Sequence, residues 1–253
     1  MNKKYRLNEE ISNNKGYSTE IKINKKELDT IKQFIESQWL NKIKKYNPKI
    51  VEEISSKQLR MNEYHLISEN LDHAKMWGKL SRILPSSFFE WIINTKFYKN
   101  LKEVFGEFII SDEENLGWPN FYWRIVRPLC SDDIGPLHRD SWFWELNSNY
   151  KKPNFDFKRI KVWIPIFTVK GENGLLVEPF SQNRDDILWT GEERHGIHKP
   201  KLITSQDNFC TKLLEIEPGQ SVLFNDNLIH GGSSNNSKFT RVSMEFTMLV
   251  KIE

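Results

Sequence analysis

Cysteine is almost missing: Cys130 and Cys210 are the only two in 253 residues, and they make no CxxC or metal-type spacing. That excludes a small disulfide-stapled scaffold and fits a reducing compartment. Long apolar runs are missing too. No stretch approaches the ~18 residues needed to span a bilayer, so no membrane segment is expected. The opening MNKKYRLNEE lacks the apolar centre of a secretory signal, and the expected location is cytoplasmic. An excess of one charge is also lacking. The 37 Lys/Arg and 34 Asp/Glu leave a formal net charge of +3, too little to argue for a nucleic-acid partner. No internal repeat or low-complexity linker divides the chain, so one domain over 1–253 is expected.

What is present falls into two halves. Hydrophobic residues make up 38% and aromatics 13%, enough for a substantial core. Residues 1–20 are polar and read as an irregular arm or edge strand. Asn24 stands three before Glu27, a capping-box-like start, and Leu28, Ile31, Ile35, Trp39 and Ile43 follow at helical spacing. More helix is predicted over 70–84 and 86–105, with Pro85 between them and Gly106 at the end. The second half instead holds short β-branched and aromatic runs at 121–127, 159–167, 174–180, 212–219, 221–226 and 240–250. Many short strands without interleaved helices point to a sandwich or barrel. The expectation is an α+β protein: 1–110 a mostly helical flank, 111–253 a mainly β core.

The stretch PLHRDSWFW, 136–144, sets His138 and Asp140 one residue apart and follows them with three large rings. If 136–141 is extended, residues i and i+2 share a face. A metal needs a third ligand. Of the histidines at 65, 73, 138, 195, 198 and 230, His230 has the most suggestive setting, at the end of PGQSVLFNDNLIHGG. Gly231 and Gly232 would let the backbone pass close to an ion or ligand. Two His and one carboxylate make the facial triad of non-heme Fe(II) oxygenases. A His-x-Asp alone also suits a surface turn. Arg241, eleven residues after His230, is spaced to return on the next strand, and its planar fork suits a carboxylate. Ser243 would face the same way. Arg124 and Arg127, in FYWRIVRP, are the alternative carboxylate partners.

Together these residues resemble the phytanoyl-CoA dioxygenase family of Fe(II)/2-oxoglutarate oxygenases. VWIPI (162–166) is similar to its Trp-containing core strand, and NGLLVEPFS (173–181) to its Gly-x-Leu-x-x-x-Pro-Gly-Ser segment. The run EPGQSVLFNDNLIHGGSSNNS before Arg241 is similar to its Pro-Gly turn, strand, metal His and hairpin. GYSTEIKINKKELDTIKQFI is similar to its opening strand and helix. Phe180 and Gln182 depart from the pattern, standing where the family usually has Gly and often has His. The resemblance implies a double-stranded β-helix (jelly roll) with N-terminal helices, holding Fe(II) through His138, Asp140 and His230. It implies 2-oxoglutarate as cosubstrate, its far carboxylate on Arg241 and Ser243, with O₂ consumed and succinate and CO₂ released. Hydroxylation is the default outcome; members of this fold also desaturate or epimerise.

Other residues are given roles on weaker grounds. Trp163 is placed beside the cosubstrate pocket, and Trp142 and Trp144 are placed in the substrate wall because they follow the iron ligands directly. Residues 184–201 are read as a loop whose Arg184, Arg194, His195, His198, Lys199 and Lys201 favour an anionic substrate. The substrate expected is a polar small metabolite, a sugar derivative ahead of an amino-acid derivative. Asp140 argues against a halogenase. A jelly-roll sugar-binding protein or isomerase is the reading from outside redox chemistry.

Overall fold

The N-terminal segment folds because two apolar side chains fall one helical turn apart. The structure, a computed structural model, describes residues 3–147, 149–194 and 197–252, and the side chains at 3, 4, 194 and 197 lie outside that description. Within it α1 (Lys3–Ser12) buries Leu7 and Ile11 and lies against α6 (Lys96–Phe105). The expected irregular arm is therefore a helix, and only the edge strand β1 (Tyr17–Ser18) was anticipated. Between them Gly16 has φ +87, and an added Cβ would meet Gln182 Oε1 at 2.5 Å and Leu228 Cδ1 at 2.6 Å. Gly16→Ala combines a strained backbone with overpacking and should cost about 3 kcal/mol. A thermal melt checks this: for a chain of this size the midpoint should fall by about 6–12 °C.

The stripe helix is α2 (Lys25–Tyr46), and Leu28, Ile31, Ile35, Trp39 and Ile43 are its buried residues. Asn24 caps it, its side-chain oxygen accepting from the Glu27 amide at 2.9 Å. The Glu27 carboxylate accepts from the Lys96 amide at 2.6 Å, at the N-terminus of α6. The predicted 70–84 helix is broken. It survives as α4 (His73–Met76), after α3 (Pro48–Ser56), and as a 3₁₀ turn at Lys79–Arg82. Asp72 caps α4 through the Lys75 amide, and the Arg82 guanidinium takes the Trp77 carbonyl, so each piece closes on itself. The 86–105 helix is likewise two, α5 (Ser86–Ile92) and α6, because the Thr95 hydroxyl accepts from the Tyr98 amide and starts a new one. Gly106, at φ +71, ends α6 as expected.

The remaining elements are β2 (Phe108–Ile110), β3 (Tyr122–Val126), α7 (Asp140–Leu146), β4 (Phe157–Phe167), β5 (Leu175–Val177), β6 (Trp189–Arg194), β7 (Ile197–Leu202), β8 (Lys212–Leu213), β9 (Val222–Asn225), β10 (His230–Gly232) and β11 (Arg241–Lys251). All pairings are antiparallel. The large sheet runs β1-β9-β4-β11-β2, with β3 also on β11. A small sheet runs β10-β5-β8, and β6-β7 form a hairpin. Among the described residues no helix is long and apolar enough to cross a membrane.

Period two along β11 gives the large sheet two unlike faces. Val242, Met244, Phe246 and Met248 join Ile160, Val162, Ile164 and Leu223 in the main core with α2, α5 and α6. Arg241, Ser243 and Glu245 face the other way, and in register Glu245 lies opposite Trp163 and Thr247 opposite Lys161. The helices thus close one side of the sheet, and the buried polar side chains gather on the other.

Candidate metal centre

Two histidines meet because two distant backbones pair. His138 and His230 form an isolated antiparallel bridge, each amide donating to the other's carbonyl, at 2.9 and 3.0 Å. Their rings lie 4.4 Å apart, centroid to centroid. Each ring is fixed by its own chain. His138 Nδ1 sits 2.8 Å from the Pro136 carbonyl and His230 Nδ1 2.9 Å from the Leu228 carbonyl. A carbonyl can only accept, so both Nδ1 atoms carry a proton, and in the neutral imidazole that leaves Nε2 as the ligating atom. Those Nε2 atoms point at one carboxylate: His138 Nε2 is 3.6 Å from Asp140 Oδ1, and His230 Nε2 is 3.6 Å from Asp140 Oδ2.

Asp140 arrives differently from the expectation. Arg139 is extended, but Asp140 is the first residue of α7, so the stretch 136–141 is not one strand. The carboxylate still converges because the turn into α7 is held from both sides. The Arg139 guanidinium donates to the carbonyls of Ser181 and Arg184 at 2.6 and 2.7 Å, and the Ser141 amide donates to the Asp226 carbonyl at 3.0 Å. Gly231 and Gly232 allow a close approach of the backbone at Gly135 and Pro136.

The donor set fits a divalent metal. One ligand atom from each of His138, Asp140 and His230 lies within 4.8 Å of the others. Asp140 Oδ2 is buried without a hydrogen-bond partner, and the Lys161 ammonium, 3.8 Å away, offsets its desolvation only through its field, which leaves the oxygen's lone pairs open to a metal ion. Burial opposes the charge on Asp140, but Lys161 and the two histidines outweigh it and hold the carboxyl well below its usual range. Burial, then the neighbouring His138, pushes His230 down to about 4, so it stays neutral and able to ligate near neutrality.

The far end of the same sheet face fits a carboxylate. Arg241 is 3% exposed and is drawn down to about 10 by burial and then by Arg124. It donates to the Gly174 carbonyl, yet its Nε has no partner, and the neighbouring Ser243 Oγ is buried and unpartnered as well. Among the described residues no carboxylate pairs with Arg241. The two alternatives are occupied. Arg124 binds Glu245 at 2.8 Å, and Arg127 grips Asp133 through Nε and Nη2, both at 2.9 Å.

The aromatics divide unexpectedly. Trp142 is 2% exposed and stacked flat on Trp189 of β6, with centroids 5.2 Å apart, beside Ile187, Phe209 and Ile229. Trp144 packs on Tyr150 and under the Arg159 guanidinium. The ring beside the histidines is Phe143, edge-on to His138 at 5.5 Å. Phe224 lies 4.6 Å from the His230 ring. Trp163 is buried with Tyr17, Val222, Phe224 and Leu228. The predicted 184–201 loop contains the β6-β7 hairpin, whose cross-strand pairing includes Lys201 with Glu192 at 2.9 Å. Arg184 is paired with Asp186 at 2.7 Å. The Arg194 side chain and His195 lie outside the described residues, and His198 is exposed. Phe180, the departure from glycine, has φ +67 and ψ 1, so the chain keeps a left-handed turn there with a residue that strains it. Sequence reasoning missed Lys161. A lysine inside the apolar run RIKVWIPIF was the available signal.

The family model described as phytanoyl-CoA dioxygenase matches residues 26–243. The chain belongs to the phytanoyl-CoA dioxygenase family. As a member of this family it is a non-heme iron oxygenase that depends on Fe(II) and 2-oxoglutarate. No curated protein matches the sequence. Solved structures share the fold at low identity. The non-heme monooxygenase ThoJ, in its apo form, is 9% identical with a TM-score of 0.56, covering 96% of this chain and 77% of its own. EctD from S. alaskensis with 2-oxoglutarate and 5-hydroxyectoine is 13% identical with a TM-score of 0.54, covering 97% and 75%. SnoK, a non-heme alpha-ketoglutarate-dependent carbocyclase from nogalamycin biosynthesis, is 11% identical with a TM-score of 0.50, covering 99% and 84%. The mixed helix and antiparallel-sheet architecture of this phytanoyl-CoA dioxygenase family member matches theirs.

Proposed function

We propose that His138, Asp140 and His230 hold the Fe(II) of this oxygenase, that Arg241 and Ser243 receive the far carboxylate of 2-oxoglutarate, and that the reaction hydroxylates a polar small metabolite. The observation that carries the reading is the convergence of two imidazole Nε2 atoms on one buried carboxylate, His138 on Asp140 Oδ1 and His230 on Oδ2. Fe(II) with 2-oxoglutarate and O₂ supplies the oxidising power, the keto acid leaving as succinate and CO₂. The chain's own contribution is orientation. Carbonyls of Pro136 and Leu228 set the tautomers, Arg139 and the Ser141 amide set the carboxylate, and Phe143 and Phe224 brace the imidazoles. Arg241, which among the described residues has no carboxylate partner and an unpartnered Nε, offers its fork to a ligand carboxylate.

The large and small sheets are read here as the two halves of a double-stranded β-helix, with His138 and His230 bridging between them, and the whole of 1–253 as one domain. Trp163, next in register to Glu245, is assigned to the wall of the cosubstrate pocket. Trp144 is kept as a substrate-side wall. Trp142 is assigned an indirect part, since its ring is spent on Trp189, and Arg194 keeps its assignment from the sequence. A sugar derivative leads an amino-acid derivative as substrate because the site face is polar, with Lys161, Arg124 and Glu245 on it. The test is optical. Anaerobic addition of Fe(II) and 2-oxoglutarate should produce a weak visible charge-transfer band, and succinate release across small metabolites should single out polar ones. A protein that gives no band with both components refutes the site assignment.

A further inference from the structure

Lys161 stands on the site face of β4 and is 7% exposed. Among the described residues its only ion-pair partner is Asp140, with Nζ 3.8 Å from Oδ2, beyond hydrogen-bond reach, and no acceptor takes any of its three N–H groups. Other charges surround it without touching it. Burial opposes the ammonium, while Asp140, Glu245 and Glu113 favour it and Arg124 disfavours it, the balance raising its pKa. Glu245 is held by Arg124 at 2.8 Å, and Glu113 accepts from the Thr247 hydroxyl at 2.8 Å. These carboxylates supply field but no hydrogen bonds. Its one near carboxylate is also the proposed metal ligand, whose charge the ion would share. An ammonium in this position has donors left over and faces whatever stands beside the metal.

Position separates Lys161 from the cosubstrate anchor. In register it lies opposite Thr247, six residues along β11 from Arg241, roughly 20 Å at strand rise. Two of the six residues of 184–201 expected to favour an anion, Arg184 and Lys201, are paired with Asp186 and Glu192. Resting on the metal reading above, we propose that Lys161 binds an anionic oxygen group, carboxylate or phosphate, of the molecule that is oxidised, and so fixes which of its carbons lies beside the metal.

Propionate and methyl phosphate serve as separate probes for the two chemistries. Each is titrated into the anaerobic protein with Fe(II) and 2-oxoglutarate while the charge-transfer band is followed, and into the iron-free protein by calorimetry. At least one should bind the wild-type chain. Lys161→Met should weaken that binding by about 30-fold or more, Lys161→Arg should retain most of it, and both variants should keep wild-type affinity for Fe(II) and 2-oxoglutarate. The probe that binds identifies the group. Equal anion binding by Lys161→Met, or none by wild type, overturns the proposal. Loss of iron in Lys161→Met would make it a support for Asp140, and loss of 2-oxoglutarate would assign it to the cosubstrate; either result also overturns it. A wild-type protein without the band is a failure of the metal reading, and the iron-free calorimetry still decides the anion site.

Discussion

His230→Ala abolishes iron binding and with it all coupled turnover. The three ligands act as a unit, and two of them are held in place by each other's backbone: the bridge between His138 and His230 is made by amides and carbonyls, so it survives the substitution. What disappears is one Nε2 lone pair and the ring packed on Phe224. Outer-shell partners of metal ligands are worth roughly 10–100-fold in affinity, so loss of a ligand itself should exceed that range. Asp140→Ala should act alike on iron but is a poorer test, because it also strands the Lys161 ammonium without its one near carboxylate. Equilibrium dialysis with Fe(II) and an assay of succinate release read the two effects separately. A His230→Ala protein that binds iron and turns over like wild type ends the triad assignment.

Arg241→Ala leaves iron in place and removes 2-oxoglutarate. The guanidinium is buried, lacks a carboxylate partner and keeps Nε unpaired next to the unpaired Ser243 Oγ. Removing one partner of a buried charged pair costs about 2–5 kcal/mol, so the concentration of 2-oxoglutarate needed for half-maximal turnover should rise about 30-fold or more. Arg241→Lys restores the charge but not the fork, and should recover only part of the loss. If neither variant alters the 2-oxoglutarate dependence, the carboxylate belongs elsewhere. Arg124 is then the candidate, since Arg127 is closed by two bonds to Asp133.

The grouping of His138, Asp140 and His230 was legible in the sequence because few residue types can ligate a metal. His-x-Asp and a later His before Gly-Gly remain neighbours whatever the turn between them does. The α2 stripe was legible for the same kind of reason: five apolar side chains on one helical face have one economical place to go. The rest depended on contacts between distant residues. The first helix was missed because its apolar content is essentially Leu7 and Ile11, which matter only once α6 is there to receive them. The aromatic helix α7 was missed because its rings diverge, Trp142 to Trp189, Phe143 to His138 and Trp144 to Tyr150, and a stretch serving three neighbours has no single period. The hairpin at 189–202 read as a charged loop because its sequence alternates charges with few apolar residues, and pairs such as Glu192 with Lys201 form only across its two strands. Of the residues behind the anionic-substrate expectation, Arg184 and Lys201 are paired with Asp186 and Glu192. Lys161 was overlooked although its charge stands out in RIKVWIPIF, because which face of that strand meets the site depends on its pairing with β9 and β11.

The two faces of the large sheet age differently. On the helix side, Val242, Met244, Phe246 and Met248 need only be apolar and fill their space, and volume-conserving exchanges in a core usually cost less than about 1.5 kcal/mol. Such a face can drift through many sequences while the architecture stands, as it does across relatives only 9–13% identical. On the opposite side each side chain is tied to a particular partner or left open for one, as Glu245 is tied to Arg124 and Ser243 left open. Alternate residues of one strand therefore answer to different demands, space filling on one side and particular partners on the other.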